Sequence, residues 1–299
     1  MTNHKRSLAY LSLTIASVIW GANGPIMKFV LASIPPFTLA FLRFGGASLI
    51  LFPFVFKKLS IAKKDRKNVI LSAIFGVSLN IGFFFLGLNA TTALNAGIIV
   101  ASLPIFTLIF AGIFLKEKVG KNFVLGSLLG LLGILVIIGK GFFSASISPL
   151  GDILILLATL SYVIYEIISK HLKNYSPLTI IFYMCLIGAL SFFPFAFLEY
   201  QTNPLWIYRL SPGIIMGIVY GIFFSSLAAY VLWQWALWQL QASRVGFFFY
   251  LDPIVSTITA VLFLSEHITP SFILGSLLIF LGLFVAEGHF RHYHVINCI

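Results

Sequence analysis

The composition of this 299-residue chain excludes an ordinary soluble domain. Only 9% of its residues are charged, 60% are hydrophobic and 16% are aromatic, whereas about a quarter of the residues in a soluble domain carry charge. The net charge of +11 would suit a nucleic-acid partner, but the basic residues lie between apolar tracts, where they determine membrane orientation instead. We therefore expect an all-α membrane protein with no nucleic-acid partner.

Ten apolar tracts bounded by charged residues, Pro or clusters of Asn and Ser predict ten transmembrane helices. Uniformly apolar tracts favour helices, because the strands of a membrane barrel would alternate in polarity over about ten residues. The predicted helices span residues 8–31, 36–56, 69–88, 92–115, 121–140, 150–170, 177–198, 212–239, 242–265 and 269–288.

The placement of the basic residues predicts the orientation of the chain. With ten crossings, 15 of the 19 Lys and Arg residues fall on the side that carries both termini. The opposite side has Lys28, Lys140 and Arg209, and Arg43 lies within a span. Because cytoplasmic loops are enriched in basic residues, we expect a multi-pass protein of the cytoplasmic (inner) membrane with both termini in the cytoplasm.

An internal repeat divides the chain into two halves. A shift of 149 residues aligns residues 93–136 with residues 242–285 without a gap and gives 18 identities in 44 positions. A shift of 141 residues pairs Pro36, Thr38, Phe41, Pro53 and Phe54 with Pro177, Thr179, Phe182, Pro194 and Phe195. The predicted halves are residues 1–141 and 142–299. Since five helices is an odd number, the second half enters the membrane inverted, as in carriers with alternating access.

The residues also resemble a known family. Trp20-Gly21-x-Asn23 with Lys28, the pair Arg43-Phe44, and the repeated Pro, Glu and Gly spacing resemble the EamA-type members of the drug/metabolite transporter superfamily. The resemblance implies ten helices in two five-helix domains and transport of a small metabolite, often an amino acid or related compound, commonly outward. It also implies a structural role for Arg43, and dimerisation through the fifth and tenth helices, so we expect a monomer or homodimer.

Ionisable groups within a span are candidates for function, because each costs several kcal/mol unless it is paired or hydrated. Glu166 shares a helix face with Thr159, Tyr162 and Ser169. Asp252 begins a polar face just before a proline that is expected to kink the ninth helix. Both carboxylates are predicted to bind a cationic group or a coupling proton. The alternative is that they form structural ion pairs with Arg43 or Lys28.

Other polar and aromatic residues extend the predicted site. Glycines and a proline interrupt the first helix beside Trp20 and Asn23, where exposed backbone would contact a substrate, although a packing kink is the alternative. Asn80 lies at membrane depth, where helix–helix hydrogen bonding is the alternative. The predicted substrate-binding set is Trp20, Asn23, Asn80, Tyr162, Glu166, Phe249, Tyr250 and Asp252.

Other patterns favour structure over chemistry. Gly126-x-x-x-Gly130 and Gly217-x-x-x-Gly221 predict close helix packing, and Glu117 and Glu266 are expected to cap helices. The sequence has no Walker loop, His-Glu-x-x-His or Gly-x-Ser-x-Gly motif, and the histidines near the C-terminus lack ligand spacing. We therefore expect that the protein is not an enzyme and has no cofactor or metal site. Because the missing Walker loop means that no ATP motor is built in, we expect a secondary-active transporter. A passive channel or facilitator, and less favoured an intramembrane enzyme, are the alternatives.

Overall fold

The computed structural model describes residues 3–90, 96, 99–100, 102–118, 120–142, 149–264 and 270–288. Within these ranges the chain forms ten main helices and no strand, which confirms the all-α prediction. The helices are α1 (Asn3–Leu31), α2 (Pro36–Val55), α3 (Lys63–Ala90), α4 (Leu103–Phe114), α5 (Lys121–Phe142), α6 (Pro149–Ser169), α7 (Pro177–Thr202), α8 (Pro212–Gln239), α9 (residues 242–264) and α10 (Pro270–Gly288).

Length and composition place these helices in a membrane. Six of them, α1, α2, α3, α6, α7 and α8, are long and apolar enough to cross a bilayer, and α4, α5 and α10 contain shorter apolar stretches. Their outward faces carry large exposed hydrophobic side chains such as Leu49, Ile113 and Phe284, which would be costly in water and are suited to lipid. The predicted start of the fourth helix, at residue 92, lies outside the described residues.

Several helices depart from regular α geometry. In α3 and α8 a π-helical turn, Ile74–Leu79 and Gly221–Ala228 respectively, interrupts the α-helix. The shift of 149 residues that relates the two halves superposes the first turn on residues 223–228. In α9 a short 3-10 segment, Phe247–Leu251, precedes the regular helix that begins at Asp252. The change of helix type therefore comes directly before Pro253, which is the proline predicted to kink this helix.

The contacts between helices follow the inverted repeat. The pairs α5–α10 and α2–α7 make the most extensive contacts, and each pair joins equivalent helices of the two halves. The other contacts also come in equivalent pairs. The contact of α1 with α8 corresponds to that of α6 with α3, and the contact of α1 with α9 corresponds to that of α6 with α4. This pattern is that of a pseudo-twofold axis through the α5–α10 and α2–α7 interfaces. The boundary between residues 141 and 142 stays a prediction.

Glycines bring α5 and α10 into backbone contact. A Cβ atom placed on Gly126 would lie 2.5 Å from the carbonyl oxygen of Gly282, and one on Gly133 would lie 2.5 Å from that of Gly275. Gly130 instead lies against the ring of Tyr250. Small residues thus allow the two helices to approach more closely than any larger side chain would permit.

Two glutamates cap helices from the opposite half. Glu117 accepts hydrogen bonds from the backbone N–H of Ala242 at 2.7 Å and of Ser243 at 3.2 Å, at the start of α9. Glu199 accepts from the N–H of Phe37 at 3.1 Å and of Thr38 at 2.7 Å, at the start of α2. A carboxylate is favourable there because the first N–H groups of a helix lack intrahelical partners. Glu266 lies outside the described residues.

The glycine contact between α5 and α10 predicts a large effect of one methyl group. Gly126→Ala should lower the free energy of unfolding by about 1–3 kcal/mol, because the added Cβ meets backbone that cannot rotate away. Gly112→Ala in α4 is the matched control, since nothing lies within 4 Å of its Cβ position. It should leave stability unchanged or raise it by up to about 1 kcal/mol. Thermal melting of both variants in detergent is the measurement, and equal melting temperatures would contradict the assignment.

Candidate functional site

A cavity of about 150 Å³ lies between the two halves. An apolar protein cavity of about this size accommodates benzene, so the space is suited to a small solute. Side chains from seven helices line it. They are Trp20, Asn23, Arg43, Asn80, Ile81, Phe84, Val100, Leu103, Ala158, Thr159, Tyr162, Ser225, Tyr230, Phe249 and Asp252.

The repeat brings equivalent positions to the cavity but fills them with different chemistry. Under the shift of 149 residues, Leu103 in α4 corresponds to Asp252 in α9, and both line the cavity. Ile81 in α3 likewise corresponds to Tyr230 in α8. The second half therefore contributes the carboxylate and the phenol where the first half contributes aliphatic side chains, so the cavity is chemically lopsided.

Aromatic rings surround Trp20 on one side of the cavity. The centroid of its ring lies 6.0 Å from that of Tyr162, 5.2 Å from Tyr230, 5.0 Å from Trp233 and 5.8 Å from Phe249. We call these five rings the aromatic wall. They come from α1, α6, α8 and α9, and offset or edge-on pairs at such distances stabilise one another.

Arg43 in α2 forms the basic part of the cavity. It is 2% exposed, and its Nη2 and Nε donate to the hydroxyls of Ser225 at 2.9 Å and Ser226 at 3.2 Å. Both serines belong to the π turn of α8. In the part of the chain that the structure describes, these bonds go to neutral hydroxyls, so the alternative of a structural ion pair between Arg43 and Glu166 or Asp252 is not formed. Lys28 is exposed in the last turn of α1, where the helix dipole favours a positive charge.

Three side chains that line the cavity have polar atoms without a partner. Among the described residues, Asn23 Oδ1, Tyr162 OH and Asp252 Oδ1 are shielded from solvent and make no hydrogen bond. Leaving one such group unsatisfied costs about 1–3 kcal/mol. Asn80 differs, because its Nδ2 donates to the carbonyl oxygen of Ala158 at 2.9 Å. The unpaired atoms therefore concentrate on α1, α6 and α9.

Glu166 is not among the side chains that line the cavity. It is fully buried, and its Oε1 accepts from Trp233 Nε1 at 3.0 Å while its Oε2 accepts from Thr107 Oγ1 at 2.9 Å. The carboxylate thus joins α6 to α8 and α4 from behind the aromatic wall. The helix face predicted to carry these polar residues of α6 is therefore divided. Thr159 and Tyr162 reach the cavity, whereas Glu166 does not.

Tyr250 also faces away from the cavity. Its hydroxyl donates to the carbonyl oxygen of Ser127 at 2.8 Å, and its ring lies on Gly130 of α5. The structure therefore brings together six of the eight predicted binding residues. They are Trp20, Asn23, Asn80, Tyr162, Phe249 and Asp252.

Sequence reasoning missed Ser225, Tyr230 and the role of Trp233. The adjacent pair Ser225-Ser226 within a long apolar helix was a usable signal, because polar groups at membrane depth need partners. No sequence pattern indicated that Trp233 would reach Glu166. In the described part of the chain, no three His, Cys, Asp or Glu side chains converge as metal ligands, and His289, His292 and His294 lie outside it.

The double hydrogen bond at Glu166 predicts a stability effect. Glu166→Ala should lower the free energy of unfolding by about 3 kcal/mol, because it leaves the two buried donors, Trp233 Nε1 and Thr107 Oγ1, without their acceptor. Glu166→Gln is the comparison, since its amide still offers one acceptor oxygen and the Thr107 hydroxyl can turn to accept. The Gln variant should lose less than half as much. Melting curves of purified protein decide this, and an Ala variant as stable as wild type would refute the cross-link.

The chain matches a described family along most of its length. Residues 7–139 and residues 149–287 each match the EamA-like transporter family. The two matched segments correspond to the two sets of five helices around the cavity.

Full-length relatives point the same way. An uncharacterized transporter of Archaeoglobus fulgidus is 29% identical over 94% of this chain and 98% of its own length. The uncharacterized transporter YcxC of Bacillus subtilis is 30% identical over 94% and 93%. A probable amino-acid metabolite efflux pump of Escherichia coli is 27% identical over 90% and 91%.

A crystal structure of another protein shares the fold. It superposes with a TM-score of 0.79 over 96% of this chain and 99% of its own, at 19% identity. The twofold family match, the similar transporters and the cavity between two inverted halves agree. The chain belongs to the EamA-like transporter family of the drug/metabolite transporter superfamily and is a membrane transporter rather than an enzyme.

Proposed function

We propose that the protein is a secondary-active transporter that moves a small metabolite, an amino acid or related compound, out across the cytoplasmic membrane. The substrate occupies the cavity between the halves, and alternating access exposes that cavity to each side in turn. The observation that carries this proposal is the composition of the cavity lining, to which both halves contribute.

The positions of the lining residues support alternating access. Trp20, Asn23 and Arg43 come from the first half, and Tyr162 and Asp252 come from the second. Equivalent helices meet at the α2–α7 and α5–α10 interfaces. A change in the angle between the halves would thus alter the cavity on both sides at once, as in carriers built from inverted repeats.

The chemistry of the cavity supports a small polar metabolite as substrate. The aromatic wall provides apolar contact, while Arg43 and Asp252 place a cation and a carboxylate in the same lining. A solute with a small apolar part and charged groups matches this combination. The similarity to the Escherichia coli probable amino-acid metabolite efflux pump supports the amino-acid class and the outward direction.

Transport by reconstituted protein tests the function. Proteoliposomes loaded with an unlabelled amino acid should accumulate the labelled compound by exchange, and uptake should saturate, because a carrier returns loaded faster than empty. A panel of amino acids and related metabolites identifies the substrate, and empty liposomes are the control. Ion conductance far above carrier turnover in single-channel recordings would replace the proposal with a channel or facilitator.

Gradient coupling is proposed to use the two carboxylates that lie within the predicted spans, Glu166 and Asp252. Glu166→Gln removes the ionisable group but keeps its shape, so accumulation driven by a proton gradient should be abolished while exchange persists. Rates with and without an imposed pH difference separate these two activities. A Gln variant that still accumulates substrate with the wild-type dependence on the gradient would remove Glu166 from the coupling mechanism.

A further inference from the structure

The three unpartnered acceptors lie close together on the cavity wall. A Cβ on Gly21 would lie 2.9 Å from the carbonyl oxygen of Asp252, so α1 crosses α9 at this point, two residues before Asn23. The ring of Tyr162 lies 5.3 Å from that of Phe249, which is three residues before Asp252. The atoms Asn23 Oδ1, Tyr162 OH and Asp252 Oδ1 thus belong to one region, where α1, α6 and α9 meet.

The chemistry of this region selects a cation that donates hydrogen bonds. A carbonyl oxygen, a phenolic oxygen and a carboxylate all accept hydrogen bonds, and none of the three atoms has a donor among the described residues. We propose that Asn23, Tyr162 and Asp252 form the ammonium subsite of this cavity, which makes the transported metabolite an amine. This inference rests on the proposed transport function.

The aromatic wall favours an ammonium group over a metal ion. The rings of Trp20, Tyr162 and Phe249 stand within 6.0 Å of one another around the acceptors. A cation within about 6 Å of a ring face is attracted by the ring, more strongly where water is excluded. A primary ammonium combines three N–H donors with this attraction, whereas a metal ion would need further oxygen ligands in place of rings.

The carboxyl group of Asp252 is available to a ligand, because its Oδ1 has no partner among the described residues. Arg43 is the other charged side chain in the lining, but its hydrogen bonds go to Ser225 and Ser226. In the described ranges, no ion pair joins Arg43 to Asp252. A substrate amine would therefore meet the carboxylate without displacing a protein cation, and an anionic group on the same substrate would find Arg43 in the same cavity.

The subsite joins the two halves of the protein. Asn23 lies in α1 of the first half, and Tyr162 and Asp252 lie in α6 and α9 of the second half. An ammonium held by all three would bridge the halves, so its affinity would depend on their relative arrangement. The protein would thereby select amines during the conformational change that opens the cavity to one side of the membrane or the other.

Binding of three matched probes tests the subsite independently of transport. Benzylamine, benzyl alcohol and benzoate have the same ring and differ in charge. Calorimetry on purified protein in sodium-free buffer should show benzylamine binding at least tenfold more tightly than the other two. Equal affinities would overturn the proposal. Benzylamine that fails to bind while sodium ions bind and protect the protein from thermal unfolding would identify a metal-ion site instead.

Variants assign the effect to the named residues. Asp252→Asn should weaken benzylamine binding at least tenfold, and Tyr162→Phe, which removes one hydroxyl, should weaken it about threefold. Asp65→Asn removes the same charge outside the cavity and keeps an acceptor for the Tyr175 hydroxyl, 2.7 Å away, so its affinity should equal wild type. Unchanged affinity in Asp252→Asn, with its melting temperature preserved, would refute the subsite.

The outcomes separate this inference from the proposed function. Selective benzylamine binding by a protein that shows no exchange in proteoliposomes would sustain the subsite and refute transport. Exchange that proceeds equally well with metabolites lacking an amino group would sustain transport and refute the subsite.

Discussion

The absence of water from the hydrocarbon core of a bilayer is the constraint on which the rest of this structure depends. Each polar side chain at that depth must find its partner in the protein. Glu166 does so through Trp233 and Thr107, and Arg43 does so through two serines. Asp252 does not. This difference separates polar groups that hold helices together from one that makes no such contact within the described residues.

Two kinds of contact join the helices of the two halves. At the α5–α10 interface, glycines let backbone touch backbone and leave no room for side chains. Around the cavity, aromatic rings and long polar side chains hold the helices apart. The same inverted repeat produces both, because α5 and α10 pair with each other while α1, α2, α3, α4, α6, α8 and α9 contribute residues to the cavity between the halves.

The sequence predicted the helices and the repeat because apolar tract length and periodic identity are local properties of a chain. It also predicted six residues of the cavity, since polar groups within spans are few. It did not separate Glu166 from Asp252. Both are carboxylates on apolar helices, and their environments differ through Trp233 and Thr107, each distant along the chain. Tyr250 was misplaced because adjacent residues of a helical turn, here Phe249 and Tyr250, point in different directions.

The π turn in α8 affects how this gene can change in length. A π turn holds a residue more than the α-helical turn it replaces. Shortening α8 by one residue within Gly221–Ala228 would convert that turn to α-helix and keep Tyr230, Trp233 and Gln234 on their present face. Removing a residue elsewhere in α8 would rotate everything beyond it by about 100°. Single-residue deletions are therefore structurally accommodated at this turn and not elsewhere in α8.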